Sequence, residues 1–223
     1  MPSGNLFPVI NPAGRKRHPV SIRPCAFRAT DQQSTTNGLH FMAQTLLTAE
    51  DLDRTYMRLA HQFVEPFDRL DTLAIIGMQT RGVDIARRIH GIIKECFSMD
   101  LPLGVLDTTF YRDDFRTKMR MPSVQVTDIP FDLFGKDLVL VDDVLYTGRT
   151  VRSAMDALMS FGRPSSVRFC CMVDRGHREL PVTADYVGMY VPTHLNEEIR
   201  VLTQEQDGRQ AVLVVTKEEE PRP

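Results

Sequence analysis

The residues with the most chemical potential lie in one short run. Leu138, Val139, Leu140 and Val141 end in two adjacent carboxylates, Asp142 and Asp143, and Thr147-Gly148-Arg149-Thr150 follows four residues later. Read as strand, acid pair, turn and helix, each part has a use. Ligands of open α/β sheets bind beyond the carboxyl ends of the strands. Gly148 lets the backbone approach a ligand closely. Thr147 and Thr150 offer hydroxyl donors, and the start of the next helix presents unpaired N–H groups, which favours a phosphate. In a regular strand, neighbouring side chains alternate, so Asp142 and Asp143 face opposite ways. One can take hydrogen bonds from a sugar diol while the other meets a hydroxyl or a metal-bound water. The plainer reading is a solvated acid pair at a strand end. Against it stands the mutual repulsion of two ionised acids, which calls for a cation or hydrogen-bond donors.

The elements that must hold this run are also visible. Leu73 to Gly77, Leu138 to Val141 and Val167 to Val173 are strands without polar alternation, as in sheets buried on both faces. Leu103 to Phe110 reads as a further strand. Helices are predicted from Thr48, where Thr48 to Asp51 has capping-box spacing, to a stop at Pro66, then over Val83–Cys96 and Thr150–Phe161. Short strand candidates follow around Asp185–Val191, Ile199–Leu202 and Ala211–Val215. Strands alternating with helices predict one α/β domain with a mainly parallel central sheet flanked by helices. Order is expected to begin at Thr48. Residues 1–41 read as a basic, disordered extension and residues 42–223 as the domain, with Met42 an alternative start of translation.

Composition excludes other classes. Of 223 residues, 42% are hydrophobic and 25% charged, as in ordinary globular chains. No apolar stretch approaches the roughly 18–20 residues that span a bilayer. Cys25, Cys96, Cys170 and Cys171 form no CxxC pair or zinc rhythm; Cys170 and Cys171 should point to opposite faces of one strand. Such cysteines suit a reducing cytoplasm. The net charge of −2 hides a +4 balance in residues 1–40, leaving −6 elsewhere, so a uniformly basic nucleic-acid binder is excluded while a local basic face is not.

The run VLVDDVLYTGRTVR, together with Thr80-Arg81-Gly82, Tyr111-Arg112-Asp113-Asp114 and the stretch from Val173-Asp174-Arg175-Gly176 through His177-Arg178 to Pro181, resembles the type I phosphoribosyltransferases. Within them it is similar to the PyrR family of pyrimidine-operon regulators and uracil phosphoribosyltransferases. The resemblance spans about Leu47 to Leu202. It implies the type I phosphoribosyltransferase fold with a flap loop and a small hood, and transfer of phosphoribose from phosphoribosyl pyrophosphate (PRPP) to uracil, giving UMP, with Mg²⁺ carried by PRPP and no firmly assigned protein ligand. By the same resemblance, Asp142 and Asp143 sit at the ribose hydroxyls, and Thr147, Gly148, Arg149 and Thr150 hold the 5′-phosphate. Thr80, Arg81 and Gly82 bind pyrophosphate, largely through backbone. Val173, Asp174, Arg175 and Gly176 lie near the base. Arg81 and Arg112 are the catalytic arginines, Arg112 within a flap over Tyr111–Pro122; on charge pattern alone Arg112 reads as a solvated loop charge.

Two departures matter. Gln79 stands where many relatives carry lysine, and Tyr146 replaces an acid found in purine-specific relatives, which fits a pyrimidine acceptor better. For RNA binding, Arg58, His61, His177 and Arg178 match the family's basic face. Met57, Thr183 and Met189 replace a hydroxyl, an arginine and a lysine. These losses weaken phosphate contacts. The sequence leaves open whether UMP-dependent binding of pyrimidine-operon leader mRNA is retained, and whether another nucleobase is the acceptor. The family implies a homo-oligomer, dimer or higher.

Overall fold

The computed structural model describes residues 41–66, 71–108 and 127–217. Five parallel strands form the central sheet: β2 (Leu73–Met78), β3 (Leu103–Leu106), β4 (Asp137–Leu145), β5 (Ser166–Asp174) and β6 (Tyr186–Tyr190), in the spatial order β3-β2-β4-β5-β6. Their apolar runs are buried on both faces. On one face, helices α1 (Ala49–Val64) and α2 (Arg81–Phe97) close a core with Leu73, Ile75, Val139, Val141 and Cys170. On the other, α3 (Arg149–Phe161) packs Ala154, Ala157 and Leu158 against Ala74, Ile76, Leu138, Leu140 and Cys171. Cys170 and Cys171 thus fall on opposite faces, as their adjacency predicts. The sandwiched sheet is the α/β architecture expected from the pattern.

A second, antiparallel sheet of three strands has the order β1-β8-β7, from β1 (Phe41–Leu47), β7 (Glu197–Leu202) and β8 (Ala211–Lys217), with the short helix α4 (Gln204–Asp207) between the last two. Here the structure departs from the expectation that order begins at Thr48. Phe41–Leu47 is a strand, but its partner lies at the far end of the chain, so no local periodicity announces it. Thr48 is nevertheless the N-cap of α1. Its backbone N–H donates to Asp51 Oδ2 (3.1 Å) and its hydroxyl accepts from the Asp51 N–H (3.3 Å). The third strand ends at Leu106, earlier than the predicted Phe110, and Asp107 N–H turns to the Thr127 hydroxyl at 3.0 Å. Residues 1–40 and the predicted flap, with Arg112, lie outside the described residues. Among those residues, no helix is long and apolar enough to cross a membrane.

The strand order reverses at β2. The chain runs from β2 outward to β3, then returns to β4 on the other side of β2. The loops leaving β2 and β4 therefore diverge and open a crevice at the carboxyl ends of these strands. Both sequence motifs lie there.

Candidate active site

β4 carries its apolar run into the interior and delivers Asp142 and Asp143 at its carboxyl end. Asp142 is buried at 7% exposure, while Asp143 is half-buried. Their backbone is held locally: Asp142 Oδ1 accepts the Asp143 N–H (2.9 Å) and Asp143 Oδ1 accepts the Val144 N–H (2.8 Å). A cavity of about 410 Å³ lies beyond, lined by Asp142 but not Asp143, and by the turn Tyr146–Thr150 with Val151 and Ser153 of α3. The acid pair thus divides its two carboxylates, as strand alternation requires. Asp143 faces the other loop, where its charge acts on Arg81.

The turn itself is shaped for an anion. Gly148 has φ +90°, a conformation that disfavours any side chain, and it is the N-cap of α3 with no side-chain cap. A Cβ there would also meet Val182 at 3.2 Å. The first N–H groups of α3 are therefore largely left to a ligand, apart from a long 3.4 Å contact from Arg149 N–H to the Thr147 hydroxyl. Val151 and Ser153 entered the cavity without notice in the sequence. Their signal is helical spacing from Thr150.

The turn after β2 abuts the acid-bearing end of β4. Thr80 is the N-cap of α2 and offers no side-chain cap, and the Gln79–Thr80 peptide is cis. A Cβ on Gly82 would lie 2.5 Å from the Val141 carbonyl oxygen and 3.0 Å from Asp142 Cα. Only glycine allows α2 to start so close to the acid pair. The Arg81 side chain is held by a residue that sequence reasoning missed. Its Nε and Nη2 donate to Asp207 of α4 at 3.2 and 2.9 Å, and no described residue engages Nη1. Burial alone would raise the Asp207 carboxyl pKa, but hydrogen bonds from Arg81 and the Thr203 N–H hold it below the ordinary range. That partner in turn keeps Arg81 firmly protonated, with Asp143 and Asp84 assisting. Next to it, the Thr203 hydroxyl donates to buried Asp84 at 3.0 Å. The small antiparallel sheet and α4 are thereby tied to the β2 loop. Nothing local to residue 207 advertises this partnership.

Beyond β5, the predicted base-side residues show a different character. Val173 is fully buried, and Asp174 Oδ1 accepts the Gly176 N–H (3.0 Å). Arg175 is 7% exposed. Its guanidinium lies 4.2 Å from the Tyr146 ring centroid and donates to the Thr193 hydroxyl and the His194 and Glu197 carbonyls. A second cavity, of about 330 Å³, opens beside Asp174, Gly176, His177, Tyr190 and Thr193.

Of the four residues matched to an RNA face, both arginines are engaged internally. Arg58 donates to the carbonyls of Val187 and Gly188 on β6 (3.2 and 2.6 Å) and to Gln62. Arg178 donates to Asp174, to the carbonyls of Tyr146, Gly176 and Val182, and more weakly to that of Leu145. His61 and His177 are exposed; His61 packs edge-on against Phe97, and His177 against Tyr146 with its Nε2 2.6 Å from the Thr193 carbonyl. The structure brings Arg178 and His177 beside Tyr146 at the Thr147–Thr150 turn and leaves Arg58 and His61 on α1.

Comparison with known proteins agrees with this geometry. The model of the phosphoribosyl transferase domain matches residues 43–203. The chain is 46% identical to the Bifunctional protein PyrR of Elusimicrobium minutum, covering 79% of this chain and 98% of the relative, and 48% identical to that of Thermus aquaticus, covering 81% and 99%. Among solved structures, a hypoxanthine-guanine phosphoribosyltransferase from Bacillus anthracis superposes with a TM-score of 0.59 at 21% identity, covering 77% of this chain and 96% of that one. The hypoxanthine phosphoribosyltransferase of Trypanosoma cruzi gives 0.57 at 17% identity, covering 78% and 97%. These structural likenesses speak for the fold alone. On the family match and the close relatives together, the chain belongs to the phosphoribosyl transferase domain family, among the bifunctional PyrR proteins.

Proposed function

We propose that the protein transfers the 5-phosphoribosyl group of PRPP to uracil, releasing pyrophosphate and forming UMP. The observation that carries this reading is the uncapped turn Thr147–Thr150, facing a cavity with Asp142 at its edge, while Gly82 of the Thr80–Gly82 turn lies against the backbone of Val141 and Asp142. Such a crevice holds a sugar with anionic groups at both ends. The α3 N-terminus and the Thr147 and Thr150 hydroxyls take the 5′-phosphate. Asp142 and Asp143 accept from the ribose hydroxyls. The uncapped start of α2 takes the pyrophosphate through backbone N–H groups, and Arg81, oriented by Asp207, adds positive charge there. Charge-assisted hydrogen bonds of this kind contribute about 1.5–3 kcal/mol each.

Two neighbouring carboxylates, with no cluster of three metal-ligating side chains among the described residues, fit a magnesium ion that takes most of its ligands from water and substrate phosphates. Bound in this way, the ion supplies charge neutralisation for the departing pyrophosphate. The chain's own part is to hold the sugar and the leaving group in place and keep water from the anomeric carbon. Arg112 is proposed as a second arginine over the reacting centre.

Uracil as acceptor is supported by Tyr146 at the place where purine-specific relatives carry an acid. Val173 to Gly176 supply main-chain groups on the base side; the Arg175 side chain, held under Tyr146 and away from solvent, positions rather than reads. The bifunctional description of the relatives supports a second role, and the resemblance names it as UMP-controlled binding of leader mRNA. His61, His177 and Arg58 are its exposed members, and of these Arg58 spends donors on the Val187 and Gly188 carbonyls. A cytoplasmic homo-oligomer completes the proposal. Incubation with PRPP, Mg²⁺ and each of uracil, orotate, hypoxanthine and xanthine tests it: pyrophosphate release is expected with uracil, and release with another base but not uracil overturns the acceptor assignment.

A further inference from the structure

We propose that Arg178 is a positioning residue for the 5′-phosphate turn. This rests on the phosphate-binding role given above to Thr147–Thr150. Leu145 ends β4, and the carbonyls of Tyr146 and Thr147 follow it into a tight turn, where neither strand nor helix pairs them. The loop after β5 satisfies the carbonyls of all three residues. Arg175 N–H donates to the Leu145 carbonyl (3.1 Å), and the N–H groups of Glu179 and Leu180 donate to that of Thr147 (3.0 and 3.1 Å). The Tyr146 carbonyl receives Arg178 Nη1 at 2.7 Å.

Arg178 is itself fixed from three further sides. Its Nη2 bonds Asp174 Oδ2 at 2.5 Å, its Nε bonds the Val182 carbonyl at 3.0 Å, and Nη1 also reaches the Gly176 carbonyl at 3.1 Å. The planar fork of a guanidinium is suited to several fixed acceptors at once. In a planar trans peptide the C=O and the following N–H point in opposite directions. Holding the Tyr146 carbonyl toward the β5 loop therefore turns the Thr147 N–H the other way, and the neighbouring bonds to Leu145 and Thr147 do the same for Tyr146 and Gly148. Arg178 thus helps set the direction of the backbone donors that the phosphate meets, without touching the phosphate. The side chain is 22% exposed and its donors are directed inward.

Calorimetric titration of the full-length protein with three probes in Mg²⁺ buffer tests the proposal: PRPP, ribose 5-phosphate and inorganic pyrophosphate. Arg178→Gln is expected to weaken PRPP and ribose 5-phosphate by about tenfold, a loss of about 1.4 kcal/mol, while pyrophosphate, held at Thr80–Gly82, changes less than about twofold. A variant that is merely misfolded loses all three together. Arg178→Lys, which keeps the charge but not the fork, should retain the fold and weaken ribose 5-phosphate by about threefold. Wild-type affinity for ribose 5-phosphate in both variants overturns the proposal, as does an equal loss of all three ligands in Arg178→Lys. Wild-type protein that binds PRPP without using uracil would sink only the acceptor assignment. Wild-type protein that fails to bind PRPP would sink the phosphate site, and this inference with it.

Discussion

The loops after β4 and β5 both follow apolar parallel strands, and both carry motif residues, yet they use polarity in opposite ways. At Thr147–Thr150 the donors are backbone N–H groups of an uncapped helix, facing a cavity, and the one long side chain, Arg149, pairs with Glu179. At Asp174–Arg178 the long charged side chains are turned inward, onto carbonyls and the Tyr146 ring. The difference follows from what comes next in the chain. A strand that leads into a helix leaves unpaired N–H groups at the helix start, while the carbonyls of the same turn need donors, and the irregular loop after β5 supplies them. Arginine supplies five. Charge in a motif therefore marks a ligand contact only where the backbone has no use for it.

The largest effect expected from this contrast is at the acid pair. Asp142→Asn combined with Asp143→Asn should lower kcat/KM for PRPP at least about a hundredfold while the far-ultraviolet spectrum stays that of the wild type; retained turnover would reduce the pair to solvated acids. Next is the join between the β2 turn and the acid pair. In Gly82→Ala the new Cβ meets backbone, which cannot give way as a side chain can. A destabilisation of about 1–3 kcal/mol is expected from denaturant titration, together with weaker PRPP binding.

Smaller effects concern the inward-turned charges. The Arg81–Asp207 pair is partly exposed, with side chains at 37% and 21% exposure, so solvent screening limits it to at most about 1 kcal/mol. Because the folded-state carboxyl of Asp207 lies below its ordinary value of 3.8, its stabilisation is complete above that pH and is lost as the pH falls from 3.8 through the folded-state value. Asp207→Asn should remove this acid-side contribution, and thermal melting of both proteins between pH 6 and pH 3 reads the difference. Smallest is Arg58. Each phosphate neutralised on single-stranded RNA contributes about 0.7 to the slope of log affinity against log salt. Arg58→Gln should leave the slope for leader RNA within about 0.3 of the wild type, since its donors serve Val187 and Gly188. A drop near 0.7 would return Arg58 to the RNA face.

Much of the central sheet was legible because its signals are local. Unbroken apolar runs gave β2, β4 and β5, threonine and aspartate at the right spacing gave the start of α1, and adjacent cysteines gave two faces of one strand. The Thr147–Thr150 turn was legible for the same reason, since strand, glycine and helix start lie within a dozen residues of sequence. The antiparallel sheet was less so. Its β1 pairs with β8 across nearly the whole chain, and pairing at such separation leaves no periodic trace in either segment. The partners of Arg58, Arg81, Arg175 and Arg178 were hidden too, because an arginine reads identically in sequence whether it meets water, a phosphate or a carbonyl. Gly82 shows how close approach can disguise itself: in sequence it is one member of a small motif, and in the fold it is the reason α2 can start against Val141 and Asp142.

The most direct measurement is a crystal structure of the protein with PRPP and Mg²⁺. The account predicts the 5′-phosphate on the N–H groups at the start of α3, with the pyrophosphate against Thr80–Gly82 and the ribose hydroxyls at Asp142 and Asp143. A 5′-phosphate seated anywhere but the Thr147–Thr150 turn would contradict it.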